Sequence, residues 1–107
     1  MKLFCKDNVY FWVDLTDVIC RRLVDEGDWE YPQSTLINHL GRPDWTFVDI
    51  GAHIGYFSLM ASKHYGQVVA VEPSPVWCDL HRRSIDANRF TNIEVQEREV
   101  GPEPFAA

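Results

Sequence analysis

The clearest chemical signal in this chain is the run Phe47-Val48-Asp49-Ile50-Gly51-Ala52-His53-Ile54-Gly55. It begins as an apolar strand and passes through a glycine loop into a helix-forming stretch. At such a junction backbone N–H groups stand free to receive an anionic ligand group. Gly51 permits a tight turn and close ligand approach, and Gly55 lets the incoming helix pack near the strand. A lone glycine loop is weak evidence. Here Glu72 ends the next apolar run about 20 residues further on, where a carboxylate can accept both hydroxyls of a ribose.

The loop discriminates between nucleotide cofactors. The dinucleotide fingerprint G-x-G-x-x-G uses its second glycine to bring the backbone against a pyrophosphate. This loop reads Gly51-Ala52-His53, so that glycine is absent and His53 obstructs the approach. Asp49 also sits badly beside a pyrophosphate. It sits well beside the ammonium and sulfonium charges of S-adenosylmethionine, a cation without phosphate. That molecule is the expected cofactor, and a nicotinamide or flavin dinucleotide is disfavoured.

Plainer roles stand beside these. Asp49 could satisfy loop N–H groups, and Glu72 could be a strand-end surface carboxylate. His53 is either a contact through the loop or a polar filler, and nothing marks it as a general base. His39, His64 and His81 show no metal-ligand spacing. Cys78 and His81 lie three apart on one helix but lack a third partner, so no metal is expected. Trp77 reads as core packing and Arg82-Arg83 as a solvated helix face.

Three stretches carry a family resemblance: Asp49-Ile50-Gly51-Ala52-His53-Ile54-Gly55-Tyr56-Phe57-Ser58-Leu59, then Val71-Glu72-Pro73-Ser74-Pro75, then Asn88 with Thr91-Asn92-Ile93. They resemble the FkbM-type S-adenosylmethionine-dependent methyltransferases. Trp29-Glu30-Tyr31-Pro32 is similar to the aromatic-acidic-proline segment that often precedes their first core strand. The resemblance implies that Asp49 holds the methionine ammonium and that Gly51, Ala52 and Gly55 line the methionine moiety. It also implies that His53 lies over the methionine, that Glu72 binds the ribose, and that Pro73 and Ser74 border the adenine. The resemblance further implies O-methyl transfer to a small molecule, sugar or lipid.

The elements that must position these residues are legible from periodicity. Leu3–Lys6 and Val9–Leu15 alternate as a hairpin turning at Asp7-Asn8. Val18–Glu26 reads as a helix stopped by Gly27. A second helix starts near Pro32, carries a Leu36, Ile37, Leu40 stripe, and is closed by Gly41 and Pro43. Trp45–Ile50 reads as a buried parallel strand, Gly55–Tyr65 as a buried helix, and Gln67–Glu72 as a second buried strand. Ser74 is a plausible N-cap with Pro75 in the first turn. On the helix that follows, Val76, Trp77, Leu80, Ser84 and Ala87 share one face, and Asp79, Arg82, Arg83, Asp86 and Arg89 the other. Ile93–Val95 starts a third strand. Strands alternating with helices predict a parallel sheet, so the expected fold class is α/β, a Rossmann-like methyltransferase fold truncated after about its third strand. The expected division is a hairpin and helical region over 1–44 and the cofactor-binding half-domain over 45–107.

Composition bounds the rest. The chain has 107 residues, 46% hydrophobic and 24% charged, with a formal net charge of −6. That balance is globular and lacks the basic footprint of a nucleic-acid surface, so a small-molecule methyl acceptor and no nucleic acid are expected. No run approaches the roughly 18 apolar residues of a membrane span, and the N-terminus lacks a signal-peptide core. Cys5, Cys20 and Cys78 form no Cys-x-x-Cys, which suits a reducing cytoplasm.

Methyl transfer also needs a placed acceptor, shelter from water and, for many acceptors, a base. In this fold those come from loops after the fourth and later strands, while the tail 97–107 reads as a loop. With strand order 3-2-1, Trp45–Ile50 is left as an open apolar edge. The expectation is a fragment, a truncated product, or a piece completed by a partner chain or by self-association through that edge. Such a chain is expected to have little or no catalytic activity alone. The alternative is a degenerate or partner-completed module that binds S-adenosylmethionine without catalysis.

Overall fold

The computed structural model of the chain describes residues 1–26 and 31–100. Gly27, the Trp29-Glu30 part of the aromatic-acidic-proline segment, and residues 101–107 of the tail lie outside the described residues. In order, the elements are β1 (Lys2–Lys6), β2 (Val9–Val13), α1 (Val18–Glu26), α2 (Tyr31–Leu40), β3 (Thr46–Ile50), α3 (Tyr56–Ala61), β4 (Gln67–Glu72), α4 (Pro75–Asn88) and β5 (Ile93–Glu97).

β1 and β2 pair antiparallel, with Lys6 opposite Val9. Asp7 and Asn8 both take positive φ, 52° and 63°, the conformation a two-residue hairpin turn demands. β2 stops at Val13 and not at Leu15, because the Asp14 carboxylate accepts from both the N–H and the hydroxyl of Thr16 and folds the chain into a turn. α4 covers the outer edge of β2 with side chains. Ser84 Oγ accepts the Trp12 N–H at 2.7 Å, and Asn88 both accepts from Tyr10 N and donates to Tyr10 O.

β3, β4 and β5 form a parallel sheet in the order β3-β4-β5, so β3 is an edge as expected. Its expected burial on both faces does not hold. Phe47 and Asp49 are half-buried on the side of α3, whereas Trp45, Val48 and Ile50 are exposed. Alternation explains Val48 and Ile50, since only the Phe47 face has helices packed on it among the described residues, whereas Trp45 precedes the strand, which starts at Thr46. Phe47 itself meets the Tyr65 ring at 5.1 Å.

The helices also differ from their expected faces. α3 ends at Ala61, where Lys63, His64 and Tyr65 continue only as turns. Asn92 fastens that end, donating to the Ser62 and Tyr65 carbonyls and accepting from Ser62 Oγ. On α2, Ser34 is buried while Leu36 and Leu40 are exposed, so the stripe does not face the core. On α4, the buried set is Cys78, Leu80, His81 and Ser84, with Val76 and Ala87 exposed. The helix is rotated toward the hairpin because Ser84 and Asn88 must reach the backbone of β2. One cluster joins the hairpin and α1 to the loop helices: Val9, Phe11, Val13, Cys20 and Leu23 with Ile54, Tyr56, Leu59 and Leu80.

His81 is the unusual member of the interior. It is fully buried, and neither ring nitrogen has a hydrogen-bond partner among the described residues. Burial, aided by the Arg82 cation, holds its pKa at about 4 against an ordinary 6.5. Between those values the unfolded chain takes the proton and the folded chain does not. Stability is therefore complete above about 6.5 and is lost as pH falls toward 4, by up to about 3 kcal/mol. His81→Leu is expected to flatten this acid loss and to raise stability at neutral pH, because it removes a buried polar ring that nothing pairs. Urea unfolding midpoints measured between pH 4 and pH 7 check both effects.

Candidate cofactor site

The two carboxylates predicted to matter come together at the C-terminal ends of adjacent parallel strands, where ligands bind in open α/β sheets. Asp49 sits one residue before the end of β3 and Glu72 ends β4. Each is held by a specific donor. The Ser58 hydroxyl donates to Asp49 Oδ2 at 2.6 Å. The His53 N–H donates to Glu72 Oε1 at 2.8 Å, and the Ser74 N–H to Oε2 at 2.9 Å. Glu72 is thus no loose surface acid. It ties the glycine loop to the start of α4 and is only 7% exposed. Its carbonyl is fixed too, by the Cys78 thiol at 3.2 Å and the Arg98 N–H at 3.1 Å. Each carboxylate oxygen still keeps a lone pair for another donor.

Burial raises the Asp49 pKa, the nearby Glu72 charge raises it further, and the Ser58 hydrogen bond pulls the other way. Ser58→Ala is expected to move the Asp49 titration to higher pH, read by the carboxyl carbon chemical shift. Binding of a cation at Asp49 should then need a higher pH for its full strength.

The loop itself departs from the sequence expectation. Its N–H groups are not free for an anion. Gly51 N and Ala52 N both donate to the Val71 carbonyl, at 2.8 and 3.1 Å, His53 N goes to Glu72, and Gly55 N to the Ala52 carbonyl at 2.9 Å. Four donors that would cradle a diphosphate are spent within the chain. Two acids flank what remains, an arrangement that favours a cationic ligand over an anionic one.

The glycines are required for different reasons. Gly51 has φ +72° and open space where a side chain would project, so a ligand can reach the backbone there. Gly55 has φ +91°, and an added Cβ would fall within 2.6 Å of three His81 ring atoms. Ala52 is buried, Pro73 is exposed, and Ser74 caps α4 by accepting the Trp77 N–H at 3.5 Å. His53 is half-buried with φ +57°, its ring 4.2 Å from that of Trp77 and its Nε2 3.5 Å from Asp17 Oδ2. Ser58, Trp77 and Asp17 were not singled out as site residues from the sequence. Ser58 lies within the quoted motif but has no distinguishing spacing, whereas Asp17 is readable as an N-cap of α1 and nothing more.

A cleft of about 110 Å³ lies between Ile19 and Leu23 of α1 and the loop residues Gly51, Ala52, His53 and Ile54. Whole small-molecule sites enclose roughly 300–1,000 Å³, so the described residues wall only part of one. A larger cavity of about 210 Å³, lined by Lys6, Phe11, Asn38, Met60 and Lys63, touches neither carboxylate. Neither carboxylate lines the smaller cleft either, but its wall is the glycine loop that follows Asp49 and is tied to Glu72 through the His53 N–H.

Comparison with solved structures decides the fold. The chain is similar to Methanocaldococcus jannaschii TYW2 in complex with AdoMet, with TM-score 0.70 and 18% identity over 87% of this chain and 41% of that one. The fold is the α/β methyltransferase fold. A second similar structure is the M. jannaschii tRNA m1G37 methyltransferase, with TM-score 0.67 and 18% identity over 89% of this chain and 29% of that one. Among curated proteins, a probable ribosomal RNA small subunit methyltransferase A from Methanosphaera stadtmanae is 36% identical over 50 residues, which is 47% of this chain and 18% of the relative. No family model matches the chain. The chain spans less than half the length of each of these proteins.

The expectation of a small-molecule acceptor and no nucleic acid is overturned by these comparisons, since the similar proteins are tRNA and rRNA methyltransferases. The error was to read a net charge as a surface. A basic footprint is a local patch, and the sum over a chain spanning a fraction of such a protein does not report it. No helix among the described residues is long and apolar enough to cross a membrane.

Proposed function

We propose that this chain is the cofactor-binding part of an S-adenosylmethionine-dependent methyltransferase that acts on RNA. The single observation that carries the cofactor is the loop with four N–H groups spent internally, set between the Asp49 and Glu72 carboxylates at the ends of adjacent strands. That arrangement suits a nucleoside bearing positive charge and repels a diphosphate. The open space at Gly51 and the adjoining cleft fit the approach of the methionine portion.

Asp49 would receive the ammonium, Gly51, Ala52 and Gly55 would line the methionine by backbone approach, and Glu72 would bind the ribose hydroxyls. Pro73 and Ser74 would border the adenine. When bound, the cofactor supplies a methyl group activated by its sulfonium. The chain's own contribution is orientation: Ser58 fixes the Asp49 carboxylate, and the His53 and Ser74 N–H groups fix Glu72. His53 contributes its N–H to Glu72 in this reading. The FkbM-like subtype rests on the Asp49–Leu59 and Val71–Pro75 motifs. The RNA acceptor rests on the similarity to proteins described as tRNA and rRNA methyltransferases.

A second reading, a cofactor-binding module without activity of its own, is favoured by the partial walls of the cleft. Transfer of a tritiated methyl group from S-adenosylmethionine to transfer-RNA and ribosomal-RNA transcripts separates the two. Incorporation into RNA supports the enzyme. Cofactor binding with no incorporation supports the module, and absence of binding refutes both.

A further inference from the structure

A second set of polar groups gathers where α1 meets the loop. Asp17 precedes α1 and accepts the Cys20 N–H at 2.9 Å, one turn into the helix. His53 reaches toward it from the loop, with Nε2 3.5 Å from Asp17 Oδ2. One ligand atom from each of Asp17, Cys20 and His53 lies within 4.8 Å of the others. The cofactor reading uses none of these three side chains, since His53 enters it only through its backbone.

We propose that Asp17, Cys20 and His53 form a binding site for a divalent transition-metal ion of the zinc class, with a fourth position open to water. An oxygen, a sulfur and a nitrogen are the donor types that such a borderline-soft ion takes. For metal–ligand bonds of about 2.0–2.1 Å, tetrahedral geometry places neighbouring N and O ligands roughly 3.3 Å apart. The observed 3.5 Å between Asp17 and His53 already meets that spacing. The Cys20 sulfur, no more than 4.8 Å from the other two donors, has to close by at most roughly an ångström, a movement within reach of one side-chain rotation.

The surroundings support the geometry. Trp77 lies 4.2 Å from the His53 ring and the His53 backbone N–H is held by Glu72, so the imidazole is oriented from both ends. Burial lowers the His53 pKa, which favours the neutral ring with a lone pair to give, although Asp17 and Glu72 oppose that shift. Burial raises the Cys20 thiol to about 11. The ion would displace the thiol proton to solvent and take its place on sulfur, as metals do at coordinating thiols. Without an ion the Cys20 thiol packs in the core and hydrogen-bonds Asp17, so all three donors already converge on one point. A bound ion would join α1 to the cofactor loop and fix the Ile19–Leu23 wall of the cleft.

Cobalt(II) added to the reduced, metal-free chain is the probe. The expected result is a thiolate-to-cobalt charge-transfer absorption that saturates at one ion per chain and is displaced by zinc(II). Cys20→Ser should abolish the band and Cys5→Ser should leave it intact. Asp17→Asn and His53→Gln should each weaken the apparent affinity by at least about tenfold. Circular dichroism checks that each variant keeps its fold. His53→Gln alters a side chain that is not fully buried, so it carries the test should the buried Cys20→Ser variant unfold. No band with the unaltered chain, a band that survives Cys20→Ser, or unchanged affinity in His53→Gln would overturn the site. Affinity for S-adenosylmethionine is measured separately, so loss of the metal site leaves the proposed function standing.

Discussion

Glu72→Ala is expected to abolish measurable S-adenosylmethionine binding and to lower stability by about 2–4 kcal/mol. Two effects combine. The substitution removes the acceptor proposed for the ribose hydroxyls, and it leaves the His53 and Ser74 N–H groups without their partner. A buried donor left unpaired costs about 1–3 kcal/mol, more than the net gain of making the bond. Glu72→Gln separates the two. Its amide oxygen can serve one of the two N–H groups, while its NH2 faces the other and repels it. It should therefore lose about half of the stability and at least tenfold in affinity. Urea unfolding and calorimetric titration on the same samples distinguish a broken loop from a lost ligand contact.

Gly55→Ala is the second large effect, and its size is set by His81. An alanine at φ +91° carries a backbone strain of about 1–2 kcal/mol. Its methyl would also sit 2.2 to 2.6 Å from the imidazole atoms, and pushing a buried ring aside costs about 1–3 kcal/mol more. Gly51→Ala provides the contrast. It shares the positive φ but meets nothing within 4 Å, so only the strain should appear in its stability. In the proposed function the ligand approaches at Gly51, so its affinity should fall. Combining Gly55→Ala with His81→Ala should be less destabilising than the sum of the two by about 1–3 kcal/mol, because the clash needs both side chains. Denaturation midpoints of the four variants check the cycle.

Much of the sheet was legible because period and punctuation agreed. Gln67–Glu72 and Val18–Glu26 were read with the bounds the structure has, and Ser74-Pro75 marked the start of α4. The hairpin turn at Asp7-Asn8 was legible even without a glycine, since Asn and Asp tolerate positive φ. What failed were faces. Helical period alone put Val76 and Ala87 inward on α4. Tertiary hydrogen bonds from Ser84 and Asn88 to β2 turned the helix instead. β3 read as buried because its composition is apolar, and composition does not reveal how many layers cover a strand.

At the site, the placement of Asp49 and Glu72 followed from the strand–loop–helix pattern. The fate of the loop N–H groups did not, because it depends on how closely the loop returns to the Val71 carbonyl. The resemblance residues Asn88 and Asn92 bind backbone groups of β2 and of the α3 end, far from any cofactor role. Asp17 and Cys20 could not be joined to His53 from spacing, since the contact spans more than 30 residues and arises only when α1 folds over the loop.

The most direct measurement is a crystal structure of the chain soaked with S-adenosylhomocysteine, the demethylated product. The account predicts density over Gly51 with the ribose hydroxyls on Glu72 and the amino group at Asp49. Density for the adenosyl group in the cavity beside Lys6 and Lys63, or a diphosphate nucleotide bound at the loop in its stead, would contradict it.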